Sequence, residues 1–135
     1  MPLSRLDPDA IKKVSGPAWV PLKQTFLDLS ETLLSAGSDT SANLTTIYVK
    51  YQVSSEPSSA VYAVAWIKTS REIVVGLAFP EGDVPAELAP PFTGMKYPGL
   101  TGYFVLRHGD QLPASLEEWA GRAYRTAIAG AKKAN

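Results

Sequence analysis

Three runs constrain this chain more than anything else in it: "LTTIYVKYQV" from Leu44, "VYAVAWIKT" from Val61 and "EIVVGLAF" from Glu72. All are short and rich in β-branched and aromatic residues, which pack well on a pleated surface. Only "SSEPSSA" separates the first two, and only Ser70-Arg71 the second two. Connections this short cannot cross over a sheet, so consecutive runs must pair antiparallel. In the first run Ile47, Val49, Tyr51 and Val53 alternate with Thr46, Tyr48, Lys50 and Gln52. In the second, Tyr62, Val64, Trp66 and Lys68 share one face, and Val61, Ala63, Ala65 and Ile67 the other. The third is apolar on both faces and belongs inside the sheet. Its Gly76 marks a point where another element comes close. "TGYFVLRH" from Thr101 is a fourth strand.

Helices flank this strand region. Asp7-Pro8-Asp9 reads as an N-cap followed by proline at the first helical position, opening a short helix to about Val14. Leu22, Phe26, Leu29 and Leu33 recur at helical spacing and predict a second helix from about Pro21 to Ser35. "GSDTSAN" after it reads as a polar loop, with Asn43-Leu44-Thr45 a turn into the first strand rather than a glycosylation sequon. Ser115 and Glu118 have capping-box spacing, and a last helix with Trp119, Ala123 and Tyr124 on its buried stripe follows to about Ala131. Lys132 and Lys133 would then suit its C-terminal dipole.

The expected architecture is α+β: a mostly antiparallel four- to five-stranded sheet with two main helices packed on one face. Residues 1–135 form a single domain, with an N-terminal extension carrying a short helix over 1–16 and a long Pro-rich loop over 80–100. A fifth short strand could sit within that loop. A structureless segment of this length inside a compact domain is uncommon and is often functional.

Several chemistries are excluded. The chain has no cysteine and one histidine, so thiol nucleophiles, disulfide frameworks and multi-histidine metal sites are not expected. No G-x-S-x-G elbow, P-loop or G-x-G-x-x-G is present, and no cofactor is expected. Thirteen basic residues balance thirteen acidic ones, which gives no global footprint for nucleic acid or an anionic membrane. No apolar run is long enough to span a bilayer or to serve as a secretory core, so the expectation is a cytoplasmic protein.

The candidate ligand-binding residues are Tyr48, Lys50, Trp66, Lys68, Tyr103, Arg107 and His108; no catalytic residue and no metal ligand stands out. Strand parity, with the helices on the Val49/Tyr51 face, places Tyr48, Lys50, Trp66, Lys68, Tyr103 and Arg107 on the opposite face, joined by Tyr62. Interleaved aromatic and basic residues on a sheet suit an anionic aromatic molecule or single-stranded nucleic acid, though ordinary strand propensity also produces them. His108 ends the fourth strand without an evident partner and reads first as a strand-end residue. Phe92, Met95, Tyr97 and Leu100 could lid a pocket over the sheet, form a dimer surface, or simply pack the loop on its own domain.

Some of these motifs together resemble a bacterial family, domain of unknown function 5655. They are Tyr48-Val49-Lys50-Tyr51, Glu72–Phe79, and Ala123-Tyr124 in the last helix. The resemblance covers about Thr45 to Ile128, and departs where Gln52 replaces a common lysine. It implies an α+β fold and carries over no activity and no catalytic residue. The leading expectation is a non-enzymatic binding or interaction module for an unknown ligand or protein partner, with a homodimer possible. The alternatives are an enzyme-like small-molecule pocket beneath the Pro-rich loop near Arg107 and His108, and weak single-stranded nucleic-acid binding on the aromatic and basic sheet face.

Overall fold

The computed structural model describes residues 2–54, 60–92 and 94–134, with side chains at 3–54, 60–92 and 94–130. Three helices, α1 (Pro8–Lys13), α2 (Val20–Leu34) and α3 (Leu116–Ala134), accompany five strands. The strands are β1 (Thr40–Thr45), β2 (Tyr48–Val53), β3 (Ala60–Thr69), β4 (Glu72–Leu77) and β5 (Gly102–Arg107). They form one antiparallel sheet in sequence order, β1-β2-β3-β4-β5. This is the expected α+β architecture. The turn expected over residues 55–59, and the side chains of Lys132 and Lys133, lie outside the described residues.

The fifth strand is not in the Pro-rich loop. It is β1, cut from the segment expected to be a polar loop and the start of the first run. Thr45 pairs with Tyr48, so Thr46-Ile47 is a two-residue hairpin turn inside what reads as one continuous strand. Thr46 enters the left-handed region at φ 48°, which a β-branched residue adopts only under local strain. No glycine or asparagine marks this turn, so composition conceals it.

Both helical layers lie on one face. Along β2, Val49, Tyr51 and Val53 are buried under α2 and α3. Tyr51 shares a hydrogen bond of 2.8 Å with the Ser30 hydroxyl of α2. The Tyr62 hydroxyl donates to the Leu33 carbonyl at 2.7 Å. Trp119 and Phe104 meet at 6.1 Å between ring centres, joining α3 to β5. The Ser115 hydroxyl makes none of the capping hydrogen bonds its spacing suggests; α3 begins with the Trp119 N–H donating to the Ser115 carbonyl.

Tyr62 corrects the parity expectation. Tyr51 lies opposite Ala63 and Gln52 opposite Val61, which leaves Tyr62 as the extra residue of a β-bulge. The bulge turns Tyr62 to the helix side, where its ring meets Tyr124 edge-on at 5.8 Å. It does not join Tyr48 and Trp66.

Both sheet edges are occupied, so neither presents a free row of backbone groups. At the β1 edge, the Asp7 N–H donates to the Ala42 carbonyl at 2.8 Å, and the Asp7 carboxylate accepts the Leu44 N–H at 3.0 Å. The same carboxylate caps α1 through the Asp9 N–H at 2.9 Å. Residues 3–16 are thus bound into the fold, with Leu6, Ala10 and Val14 buried. At the β5 edge, Ala89 and Tyr103 exchange backbone hydrogen bonds of 2.8 and 2.9 Å. The turn at Gly109, with φ 84°, returns Asp110 to the Arg107 backbone. A dimer built by strand addition would have to displace one of these segments.

Burial pushes the Tyr51 and Tyr62 hydroxyls well above the ordinary tyrosine value. The folded state therefore holds its protons more tightly than the unfolded chain. The stability this confers is complete below about pH 10, where free tyrosine ionises, and is lost as pH rises beyond it. Urea midpoints should hold level from pH 8 to 9.5 and fall steadily above 10; a level midpoint to pH 11.5 would contradict the buried phenols.

Candidate functional site

The loop from Pro80 to Leu100 wraps around the β5 edge. Its first part lies on the helix side: Arg122 of α3 donates to the Asp83 carbonyl at 2.8 Å and sits over the Phe79 ring at 5.1 Å. Ala89 crosses the edge by pairing with Tyr103. The remainder covers the face away from the helices. There Phe92 meets the Tyr103 ring edge-on at 6.3 Å, and Tyr97 meets Tyr48 likewise at 6.0 Å. The Tyr97 N–H donates to the Tyr103 hydroxyl at 3.1 Å.

Beneath the loop runs an aromatic row across three strands. Tyr48 of β2 lies 6.0 Å from Trp66 of β3, which lies 5.8 Å from Tyr103 of β5. The last contact spans β4 because Gly76 intervenes. A Cβ there would fall 2.7 Å from the Tyr103 ring, so only glycine lets the ring lie across the strand. Trp66 and Tyr103 are 4% and 0% exposed, which makes the row a second core. Of the three readings for Phe92, Met95, Tyr97 and Leu100, packing of the loop on its own domain is the one seen here.

At one end of this core the cover stops and a cavity of about 410 Å³ opens. Its floor and wall are apolar: Trp66, Val74 and Met95. Its rim is charged. Lys68 comes from the end of β3, Arg71 from the hairpin, and Glu72 and Arg107 from paired positions on β4 and β5. The Arg107 Nε lies 3.4 Å from the Glu72 Oε1. Among the described residues, Lys68 and Arg71 have no side-chain hydrogen bond or ion pair. Arg107 is held in place from its backbone, whose N–H donates to the Asp110 carboxylate at 2.7 Å.

Of the candidate residues, Trp66, Lys68 and Arg107 line the cavity. Tyr103 and Tyr48 support it through the aromatic row. Lys50 shares the sheet face, opposite Val64, but is not a lining residue. Nor is His108; its Nε2 lies 3.1 Å from the Ser70 carbonyl, which can only accept, so that nitrogen carries a proton. His108 thus ties the end of β5 to the hairpin that carries Arg71. The lining residues not foreseen are Thr69, Arg71, Glu72 and Val74. The Glu72–Arg107 pairing follows from strand register, which the chain alone leaves open. Arg71 stands in the predicted turn three residues after Lys68, and that spacing was the available signal.

The lining residues include no histidine, cysteine or serine. Burial raises the Tyr103 hydroxyl above its ordinary value, against the opposing effect of the Tyr97 N–H, and it raises Tyr97 as well. Both phenols stay protonated near neutral pH and are poor bases. Among the described residues, no three histidine, cysteine or acidic side chains gather where they could hold a metal ion.

Two substitutions separate structural from surface roles. Tyr103→Phe keeps the ring but leaves the Tyr97 N–H without its acceptor, and should cost about 1–2 kcal/mol in urea unfolding. Arg107→Gln removes only an exposed ion pair and should cost less than about 1 kcal/mol. The reverse ranking would show that Arg107, not Tyr103, secures this face. Comparison of the chain with protein families, with curated proteins and with solved structures gives no match.

Proposed function

We propose that this protein is a binding module whose ligand is a small molecule, seated in the cavity between β3, β4, β5 and the Pro-rich loop. One observation carries the reading: a concave site of about 410 Å³ combines an apolar floor of Trp66, Val74 and Met95 with a few convergent charged groups. Ligand sites are generally of this kind, with apolar walls for affinity and sparse polar groups for orientation. Its size falls within the range of about 300–1,000 Å³ typical of such sites.

The nucleic-acid alternative is less well supported. Base stacking needs exposed ring faces, and Trp66 and Tyr103 are both buried beneath the loop. The enzyme alternative is less well supported for covalent catalysis, since no hydrogen bond joins a nucleophile to a base among the described lining residues. The resemblance to the domain of unknown function 5655 is compatible with a binding role and adds no activity to it.

A naphthalene derivative is a suitable probe, since one fused ring system would cover the Trp66–Val74 floor. Isothermal titration with 2-naphthoate should give a dissociation constant between about 10 μM and 1 mM, the range open to a ligand of this size. Thr69→Trp, which places a large ring at the rim, should weaken binding at least about tenfold, or by about 1.4 kcal/mol. Absence of heat at millimolar probe, or an unaffected Thr69→Trp variant, would contradict the reading.

A further inference from the structure

We infer that this cavity selects ligands whose apolar ring carries an anionic oxygen group, a carboxylate or a phosphate ester, with Lys68, Arg71 and Arg107 reading the charge. The inference rests on the binding reading above and adds a substrate class to it. The whole chain is balanced, with thirteen basic and thirteen acidic residues. The rim of this cavity is not. Three cations meet one carboxylate there. That carboxylate, Glu72, is already engaged by Arg107, and it contacts the guanidinium through Nε. Lys68 and Arg71 have no side-chain partner among the described residues. A cationic ligand would therefore enter against a surplus of positive charge, and a neutral one would leave that surplus unanswered.

Position matters as much as count. The three cations come from the end of β3, the following hairpin and the end of β5, so they converge on the mouth from two sides. Beside them lie Trp66 and Val74, only 4% and 3% exposed. A ligand ring on that floor would displace water from the mouth, lower the local dielectric and strengthen each charge–charge contact. Glu72 acts as a positioning residue, steering the Arg107 guanidinium toward the mouth. Three other surface hollows lack this combination, and the one at Asp83, Arg122 and Arg125 has two cations but no aromatic lining residue. The one along α3 near Ser115 pairs Glu117 and Glu118 with Arg125, and the one near Glu31 and Glu117 is acidic.

The test uses three probes with the same ring: 2-naphthol, neutral at pH 7, 2-naphthoate and 2-naphthyl phosphate. Titrated against the intact protein at low salt, at least one anionic probe should bind about tenfold tighter than 2-naphthol, the effect of a single charge-assisted hydrogen bond. The advantage should shrink in 0.5 M sodium chloride. In Lys68→Gln/Arg107→Gln, whose fold is checked by its thermal midpoint, the anionic advantage over 2-naphthol should fall at least about threefold, with Arg71 alone left to answer the charge. Whichever anion wins identifies the oxygen group preferred. Equal binding of all three probes, unchanged in the double variant, would overturn the charge selection while leaving the binding reading standing. Inorganic phosphate binding as tightly as naphthyl phosphate would overturn the part played by the ring. Failure of every probe would overturn both readings.

Discussion

Tyr103 is the residue on which one whole side of this protein depends. Its backbone exchanges two hydrogen bonds with Ala89, which closes the β5 edge. Its ring lies across Gly76 to reach Trp66 and meets Phe92 from the loop. Its hydroxyl accepts the Tyr97 N–H. One residue thus fastens a long, proline-rich segment at three points. Those anchors help to oppose the ordering entropy of the loop, about 1–2 kcal/mol per residue for backbone alone.

The consequence is a sheet buried on both faces by different means. Helices α2 and α3 cover one face, with Tyr51 and Tyr62 bonded to α2 through their hydroxyls. The loop covers the other, but incompletely. Where it ends, the apolar row of Tyr48, Trp66 and Tyr103 meets the charged ends of β3, β4 and β5. The candidate site is this boundary: close enough to the second core to have an apolar floor, and close enough to solvent to be rimmed by Lys68, Arg71 and Arg107. The strand ends are held by short-range devices, the Asp110 turn on Arg107 and the His108 contact to the Ser70 carbonyl.

Much of this was legible in the chain. Alternation in the strand runs identified the face shared by Tyr48, Lys50, Trp66, Tyr103 and Arg107, and Gly76 announced the close approach that Tyr103 makes. Helical spacing located α2 to within a residue at each end. Three features were hidden for physical reasons. The β1–β2 turn uses Thr46-Ile47, residues with strand preferences, so no turn signal breaks the run. The bulge at Tyr62 arises from a pairing mismatch between two strands, which neither strand encodes alone. The wrapping of the loop depends on Ala89 finding Tyr103, a contact between a small loop residue and a strand edge that periodicity does not describe.

The location of the site is tested most directly by nuclear magnetic resonance during titration with 2-naphthoate. Resonances of Trp66, Val74, Met95 and Arg107 should move together and saturate with one dissociation constant. Those of Phe104 and Tyr62, on the helix side of the same sheet, should stay still. Shifts centred on the helix side or along α3, with Trp66 and Met95 unmoved, would contradict the assignment of the loop-covered face as the binding surface.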